Sequence, residues 1–173
     1  MPVENLKIRR AEPEDYAELY AMYCCPKVFA GTLQLPYASR EEWRKRLAET
    51  ADGRYNLVAV VGEKIIGHLG LDTFPNKPRR KHVGTFGISV HDDYQGQGVG
   101  GALMQACLDL ADNWLNLERL ELEVYADNDA AIHLYERFGF EREGLMRKHA
   151  FRDGAYVDSI VMGRLRPPKA ADR

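Results

Sequence analysis

The sequence predicts a mixed α/β domain in which helices flank a central sheet, and three features carry that prediction. Runs with β-type alternation or β-branched residues recur along the chain, at residues 6–9, 55–61, 64–73, 83–90, 118–125, 141–155 and 156–165. Segments with helical spacing separate them. A glycine-rich stretch, Gln95-Gly96-Gln97-Gly98-Val99-Gly100-Gly101, joins the apolar run ending at Val90 to a long amphipathic segment. Strands alternating with helices in this order give a sheet covered by helices.

The 173 residues suit one domain, taken as residues 1–166, followed by a loose tail at 167–173. No apolar run approaches the roughly 20 residues of a membrane span, so no membrane partner is expected. With 24 basic against 26 acidic residues the chain lacks the positive field that holds a nucleic acid. Met1 to Asn5 carry no basic, apolar secretory signal, which points to the cytoplasm. Cys24, Cys25 and Cys107 form neither a disulfide framework nor a zinc spacing; they suit a reducing compartment and imply no metal.

In order, residues 6–9 read as a first strand, and Glu12-Pro13-Glu14-Asp15 opens a helix that ends near Cys25-Pro26. Residues 28–37 show no strong period and read as a connection. Ser39 with Glu42 forms a capping box for a helix through Trp43 and Leu47. Gly62-Glu63 turns one strand into the next, and residues 75–82 form a basic loop best read as a solvated hairpin tip. Gly84 and Gly87 inside the following strand mark bulges or a close approach. Val99, Leu103, Ala106, Cys107, Leu110, Ala111 and Trp114 recur at helical spacing as a core stripe. Residues 118–125 alternate, with Leu120, Leu122 and Val124 on one face and Glu121, Glu123 and Tyr125 on the other, which must meet water or a cleft. A short helix from Asn128 stops at Gly139, and Asp153-Gly154 turns the last hairpin.

The glycine-rich stretch is the chemical signal. Glycines remove the side chains that keep a ligand off the main chain, and a helix starting here leaves its first N–H groups without internal partners. The helix dipole adds positive potential, so a phosphate or pyrophosphate fits, held without lysine or arginine. A tight strand-to-helix turn is the bland alternative. Gly96, Gly98 and Gly101 match a dinucleotide fingerprint, but five residues separate the strand from the first glycine; a P-loop would need Lys and Ser or Thr after its last one.

The stretch from Ile88 to Gly100 resembles the acetyl-CoA-binding motif of the GNAT superfamily of N-acetyltransferases. Asn128-Asp129-Ala130-Ala131-Ile132-His133-Leu134-Tyr135-Glu136-Arg137-Phe138-Gly139-Phe140 resembles that family's second signature. The resemblance covers residues 6 to 166 and implies the GNAT fold: a mixed, mostly antiparallel central sheet, flanked by helices and splayed at the cofactor site between the strand ending at Val90 and the one holding Leu122. It implies acetyl-CoA as donor, a small-molecule amine as acceptor, and a homodimer as in many relatives.

The same resemblance assigns cofactor contacts to main-chain groups of Ile88, Ser89 and Val90, with the Val90 N–H as oxyanion donor. Amides of Gly96, Gln97, Gly98, Val99, Gly100 and Gly101 would hold the pyrophosphate, with Gln95 at the loop entrance and Asn128 on the pantetheine arm. Tyr135 takes the place of the acid that protonates the departing thiolate; its ordinary pKa of about 10 suits a proton holder. On spacing alone Ile132, Tyr135 and Phe138 form a core stripe, and Asn128 is a simple N-cap. Glu123 is the first choice of base for the amine, with Glu121, His82, Asp93 and His68 in reserve; each reads equally as a solvated acid or a satisfied histidine. Substrate contacts are expected from Thr32, Leu33, Arg79, Arg80, His82, Arg147 and His149. A looser similarity to a bacterial branch acetylating free amino acids and small amines puts an amino acid first. Protein N-terminal acetylation and a non-catalytic CoA sensor are the alternatives.

Overall fold

A computed structural model describes residues 3–49 and 51–168 of the chain. Seven strands form one sheet: β1 (Lys7–Arg10), β2 (Arg54–Val61), β3 (Lys64–Thr73), β4 (Val83–Val90), β5 (Arg119–Tyr125), β6 (Glu141–Arg152) and β7 (Ala155–Leu165). Their order is β1-β2-β3-β4-β5-β7-β6. Every neighbouring pair is antiparallel except β4 and β5.

That parallel pair holds the key geometry. It is registered only at Val83↔Arg119, Gly84↔Leu120 and Thr85↔Glu121, after which the strands part. Beyond this point β4 keeps its pairing with β3 through Val90 and β5 keeps its pairing with β7 through Tyr125, so the sheet opens while each half stays intact.

Among the described residues five α-helices cover the sheet: α1 (Tyr16–Tyr23), α2 (Pro26–Ala30), α3 (Arg40–Ala48), α4 (Val99–Asp109) and α5 (Asp129–Arg137). Leu19, Met22 and Trp43 from α1 and α3 pack with Val58, Val60 and Ile65 in one apolar layer. Leu103, Met104 and Cys107 of α4 and Ile132 and Tyr135 of α5 pack with Leu69, Leu71, Phe86 and Leu122 in the larger one. α4 packs tightly over Gly67, where a Cβ would lie 2.8 Å from the Val99 side chain and 2.9 Å from that of Leu103.

Several expectations need correction. Residues 28–30, read as part of a connection, belong to α2, which begins at Pro26, where the first helix was expected to end. Pro26 at its first turn suits a helix start, and its N-terminal donor is met from 65 residues away by Asp92, whose Oδ2 accepts the Lys27 N–H at 3.1 Å. Gly84 and Gly87 make no bulge, since the β3–β4 register runs without a shift from Val90 through Gly87 to Gly84. Gly84 instead admits Leu117 and Leu120, which would crowd a Cβ at 2.8 and 3.0 Å. Trp114, placed on the core stripe by its spacing, is 76% exposed. After Asp109 the chain widens into a π turn over Leu110–Trp114, closed by the Leu115 N–H bonding the Leu110 carbonyl at 2.9 Å. The extra residue per turn rotates Trp114 off the buried face. Of the tail, Pro167 and Pro168 have no regular structure and residues 169–173 lie outside the described residues.

Candidate active site

The parted strands open two cavities, of about 500 and 780 Å³, that share Gly31, Thr32, Ile88, Ser89, Asn128 and Ala131 in their walls. The smaller is bounded by the glycine loop and α5. Gly96 and Gly98 take left-handed φ values of 72° and 88°, and a Cβ at either would meet only open space. Among the described residues no side chain caps α4 at Gly98, so the N–H groups of Val99, Gly100 and Gly101 are available to an anion.

Backbone register decides which peptide groups face the opening. In an antiparallel pair, bonded and non-bonded residues alternate along the strand. The His91 N–H bonds the Ile66 carbonyl at 2.9 Å, so Val90 opposite Gly67 and Ile88 opposite Leu69 are non-bonded positions. Their N–H and C=O groups therefore turn away from β3, toward the gap left by β5. The Gln95 side-chain amide crosses to donate to the Val90 carbonyl at 3.2 Å, which fixes the Val90–His91 peptide from the gap side and leaves the Val90 N–H unused.

Gln95, Gly96, Gly98, Gly100, Gly101, Ile88, Ser89, Val90 and Asn128 all line the smaller cavity. Gln97 does not; its side chain donates to the Asp93 carbonyl at 2.7 Å and braces the loop from behind. Val99 buries its side chain in the core and offers only its peptide group. Asn128 spends its Oδ1 capping α5, accepting the Ala131 N–H at 3.2 Å, so the bland reading of this residue holds in full and leaves only its side-chain N–H groups for a ligand.

The anion site is not free of cations, contrary to the expectation from the loop. Lys27 and Arg137 both line it. Arg137 follows Ala130 and His133 at helical spacing along α5, so the periodicity of the second motif would have put all three on one face. Lys27 was invisible for the same reason as α2.

The larger cavity gathers Glu123, Tyr125, Tyr135, His149 and Ser159 on one side and Tyr23, Trp43, Arg46 and His68 among the rest. Thr32 and Leu33 line it as well, and the Tyr125 hydroxyl donates to the Thr32 carbonyl at 3.0 Å, tying the loop after α2 to β5. Glu123 carries a half-exposed carboxylate with one oxygen 3.4 Å from His149 Nε2, while His149 Nδ1 sits 2.8 Å from the Ser159 hydroxyl.

Tyr135 is only 6% exposed, wedged edge-on against Phe86 and near Phe140, and burial pushes its hydroxyl well above the ordinary phenol range. Its backbone is fixed at the helix end: the Phe140 N–H bonds the Tyr135 carbonyl and the Gly139 N–H bonds the Glu136 carbonyl, with Gly139 at φ 85°. The core reading and a cavity-facing role are compatible here, because the ring packs while the residue lines the cavity.

The structure separates other nominated residues from both cavities. Arg79, Arg80 and His82 lie at the far end of β4, where Arg80 pairs with Glu121 and stacks over Phe74. Glu121 also pairs with Arg119, so this acid is committed to an ion-pair cluster and not to the cavity. Arg147 and Asp93 are likewise absent from the walls. His68 does line the larger cavity, but it bridges Tyr23 at 2.8 Å and Asn56 at 3.2 Å. Burial, with the charges of Arg46 and Arg54, lowers its pKa to about 4, so it is neutral and a poor proton acceptor. The thiols stand apart: burial raises Cys25 and lifts Cys107 to about 12, and Cys24, Cys25 and Cys107 line neither cavity.

Residues 16–140 match the sequence profile of the "Acetyltransferase (GNAT) family". Over 164 residues, 95% of this chain and all of the relative, the sequence is 40% identical to the L-amino acid N-acetyltransferase AaaT of Escherichia coli. It is 32% identical to the N-alpha-acetyltransferase RimI of Mycobacterium tuberculosis, covering 94% of this chain and 92% of the relative. The fold matches a crystal structure of spermidine N-acetyltransferase from Vibrio cholerae in complex with CoA and spermine, with a TM-score of 0.83, 25% identity, and coverage of 94% of this chain and 96% of the other. No group of three or more potential metal ligands occurs among the described residues, nor does any described helix have the length and apolarity to cross a membrane.

Proposed function

Because the chain belongs to the GNAT acetyltransferase family, we propose that it moves the acetyl group of acetyl-CoA directly to the amino group of a small amine, a free L-amino acid first among them. The observation that carries this reading is the meeting of two cavities at Ile88 and Ser89, where β4 and β5 part. One cavity has the anion-binding loop a nucleotide thioester needs. The other has the titratable groups an amine needs.

Acetyl-CoA supplies the activated acyl group; everything else falls to the chain. The free amides of α4 with Lys27 and Arg137 hold phosphates, and Ile88 and Val90 offer peptide groups to the pantetheine arm and the acetyl carbonyl oxygen. Glu123 accepts the proton of the incoming ammonium, so that the neutral nitrogen bonds to the acyl carbon as the carbon–sulfur bond breaks. Tyr135 gives the departing sulfur its proton, and the second proton that the acylated nitrogen sheds returns to the phenolate while Glu123 releases the first to water. Burial keeps that phenol protonated until a strong base appears beside it.

The amino-acid preference is supported by the 40% identity to AaaT along nearly the whole chain. A second reading, acetylation of protein N-termini, draws on the relation to RimI and on Leu33, Leu35 and Tyr37, which stand exposed in the loop that walls the larger cavity and offer apolar surface to a peptide. Thiol release from acetyl-CoA across a panel of free amino acids, polyamines and N-terminal peptides separates the readings. Turnover with free amino acids supports ours, peptide-only turnover replaces it, and tight acetyl-CoA binding without any turnover leaves a sensor.

With this reading go residues 1–166 as one domain, supported by the single sheet that runs from β1 to β7, and a cytoplasmic setting, supported by the three free thiols. A homodimer belongs to it too. Exposed Leu145, Phe151 and Tyr156 on the edge hairpin supply apolar surface, and sedimentation of the purified chain tests that state.

A further inference from the structure

We infer that Arg46, on α3, is the residue that reads the carboxylate of the acceptor, and so selects amino acids over carboxylate-free amines. The inference rests on the amino-acid reading above and names what would enforce it.

Two arginines line the larger cavity. Arg54 is already committed to Asp72, with Nε 2.6 Å from Oδ1, and the pair screens itself. Arg46 has no acidic partner within salt-bridge range among the described residues. Its guanidinium lies over the Trp43 ring, 4.7 Å from the centroid, and one nitrogen reaches the Gln34 side-chain oxygen at 3.4 Å. A stacked guanidinium keeps its edge free, and with five N–H donors it retains enough for a bidentate carboxylate pair. The arginine is thus positioned by a ring and an amide, with its charge unspent.

The position is also near the chemistry. Arg46 and Arg54 both act electrostatically on His68, and Arg46 acts on the Tyr23 hydroxyl, which bonds His68 and lies against Ser89. Ser89 belongs to the stretch of β4 where the two cavities meet. The Glu123 carboxylate stands on the other side of the same cavity, beside β5. An amino acid presents opposite charges at its two ends, and this cavity presents an unpaired cation and an acid to match them. A polyamine presents only cations and would meet Arg46 as a repulsive neighbour.

The sequence pointed elsewhere for this task, to Arg79, Arg80 and Arg147, which line neither cavity, and to His149, which lines the larger one beside Glu123. Arg46 escaped notice because α3 reads as a charged, capped surface helix, and only its stacking on Trp43 brings this exposed side chain to the cavity wall.

The test uses the full chain, each of the twenty protein L-amino acids, and for each its primary amide, which keeps the amine and side chain but loses the negative charge. In the wild type the acids should outperform their amides. Arg46→Gln should raise KM for the acids roughly ten- to hundredfold, the loss expected for a charge-assisted hydrogen-bonded pair, while changing KM for the amides and for acetyl-CoA by less than about threefold. Arg46→Lys should restore part of the loss, since it returns the charge without the planar fork. Amides accepted as well as acids by the wild type, or an equal rise for acid and amide in Arg46→Gln, would overturn the role of Arg46 and leave the amino-acid reading standing. Turnover with other amines but with none of the twenty acids would overturn both.

Discussion

His149 stands between Glu123 and Ser159, 3.4 Å from the carboxylate and 2.8 Å from the hydroxyl. The hydroxyl fixes the ring, and the ring in turn fixes the carboxylate on an otherwise exposed strand position. Replacing Glu123 by Gln keeps the shape and removes the proton acceptor, so kcat should fall roughly a hundredfold or more, with acetyl-CoA binding unchanged. His149→Ala should cost less, because the acceptor stays but loses its brace. Steady-state kinetics on both variants checks the order, and equal losses would make His149 more than a positioning residue.

Tyr135 makes no hydrogen bond through its hydroxyl with any described residue, yet lies beside the cavity under Phe86 and Phe140. Removing an oxygen that has no protein partner costs little stability. Tyr135→Phe should therefore melt within a few degrees of the wild type, bind acetyl-CoA equally well, and turn over at least about a hundredfold more slowly. Normal turnover in this variant would remove Tyr135 from the chemistry.

Gly98 combines a φ of 88° with open space where a Cβ would stand, and it lines the smaller cavity. Alanine there forces a left-handed non-glycine residue, at about 1–2 kcal/mol, or about 2–8 °C in Tm for a chain of this size. The added methyl also stands where phosphate oxygens approach, so KM for acetyl-CoA should rise. Thermal melting and donor titration read the two effects separately.

Arg137→Ala should weaken acetyl-CoA binding about tenfold at low salt, and the difference should shrink as ionic strength rises, since the side chain is solvent-exposed. Calorimetric titration at two salt concentrations checks it. No salt dependence would mean that the loop amides alone carry the phosphates.

His68 gives the protein a pH signature. Its folded pKa of about 4 lies below the ordinary 6.5, so between these values the unfolded chain binds a proton that the folded chain refuses. Stability is complete above pH 6.5 and declines as pH falls toward 4, by at most about 3 kcal/mol, less in so far as water in the cavity reaches the ring. Denaturant melts across this range should show a flatter acid limb for His68→Gln.

What the sequence revealed and what it hid divide along one line. Local chemistry was legible: the Gly62 and Asp153-Gly154 turns show the expected positive φ values, Ser39 caps α3, and Gly139 ends α5. So was the alternation that puts Glu123 on the cavity side of β5. Features assembled from distant segments were not. Asp92 caps α2 across 65 residues, and Lys27 and Arg46 reach the cavities only because α2 and α3 fold over the sheet; the π turn that breaks the period at Trp114 is the local exception, a widened turn that helical spacing does not encode. Arg79 and Arg80 show the converse error, in which local charge density suggested a ligand contact and the fold spent the charge on Glu121 and Phe74.

The two cavities are written in different alphabets. Peptide groups build much of the donor side, and point substitutions scarcely edit a backbone, whereas the acceptor side is drawn in side chains such as Trp43, Arg46, Glu123 and His149. A lineage can therefore exchange one nitrogen compound for another by a handful of codon changes while its acyl source stays the same. Divergence within such a scaffold runs through one chamber only.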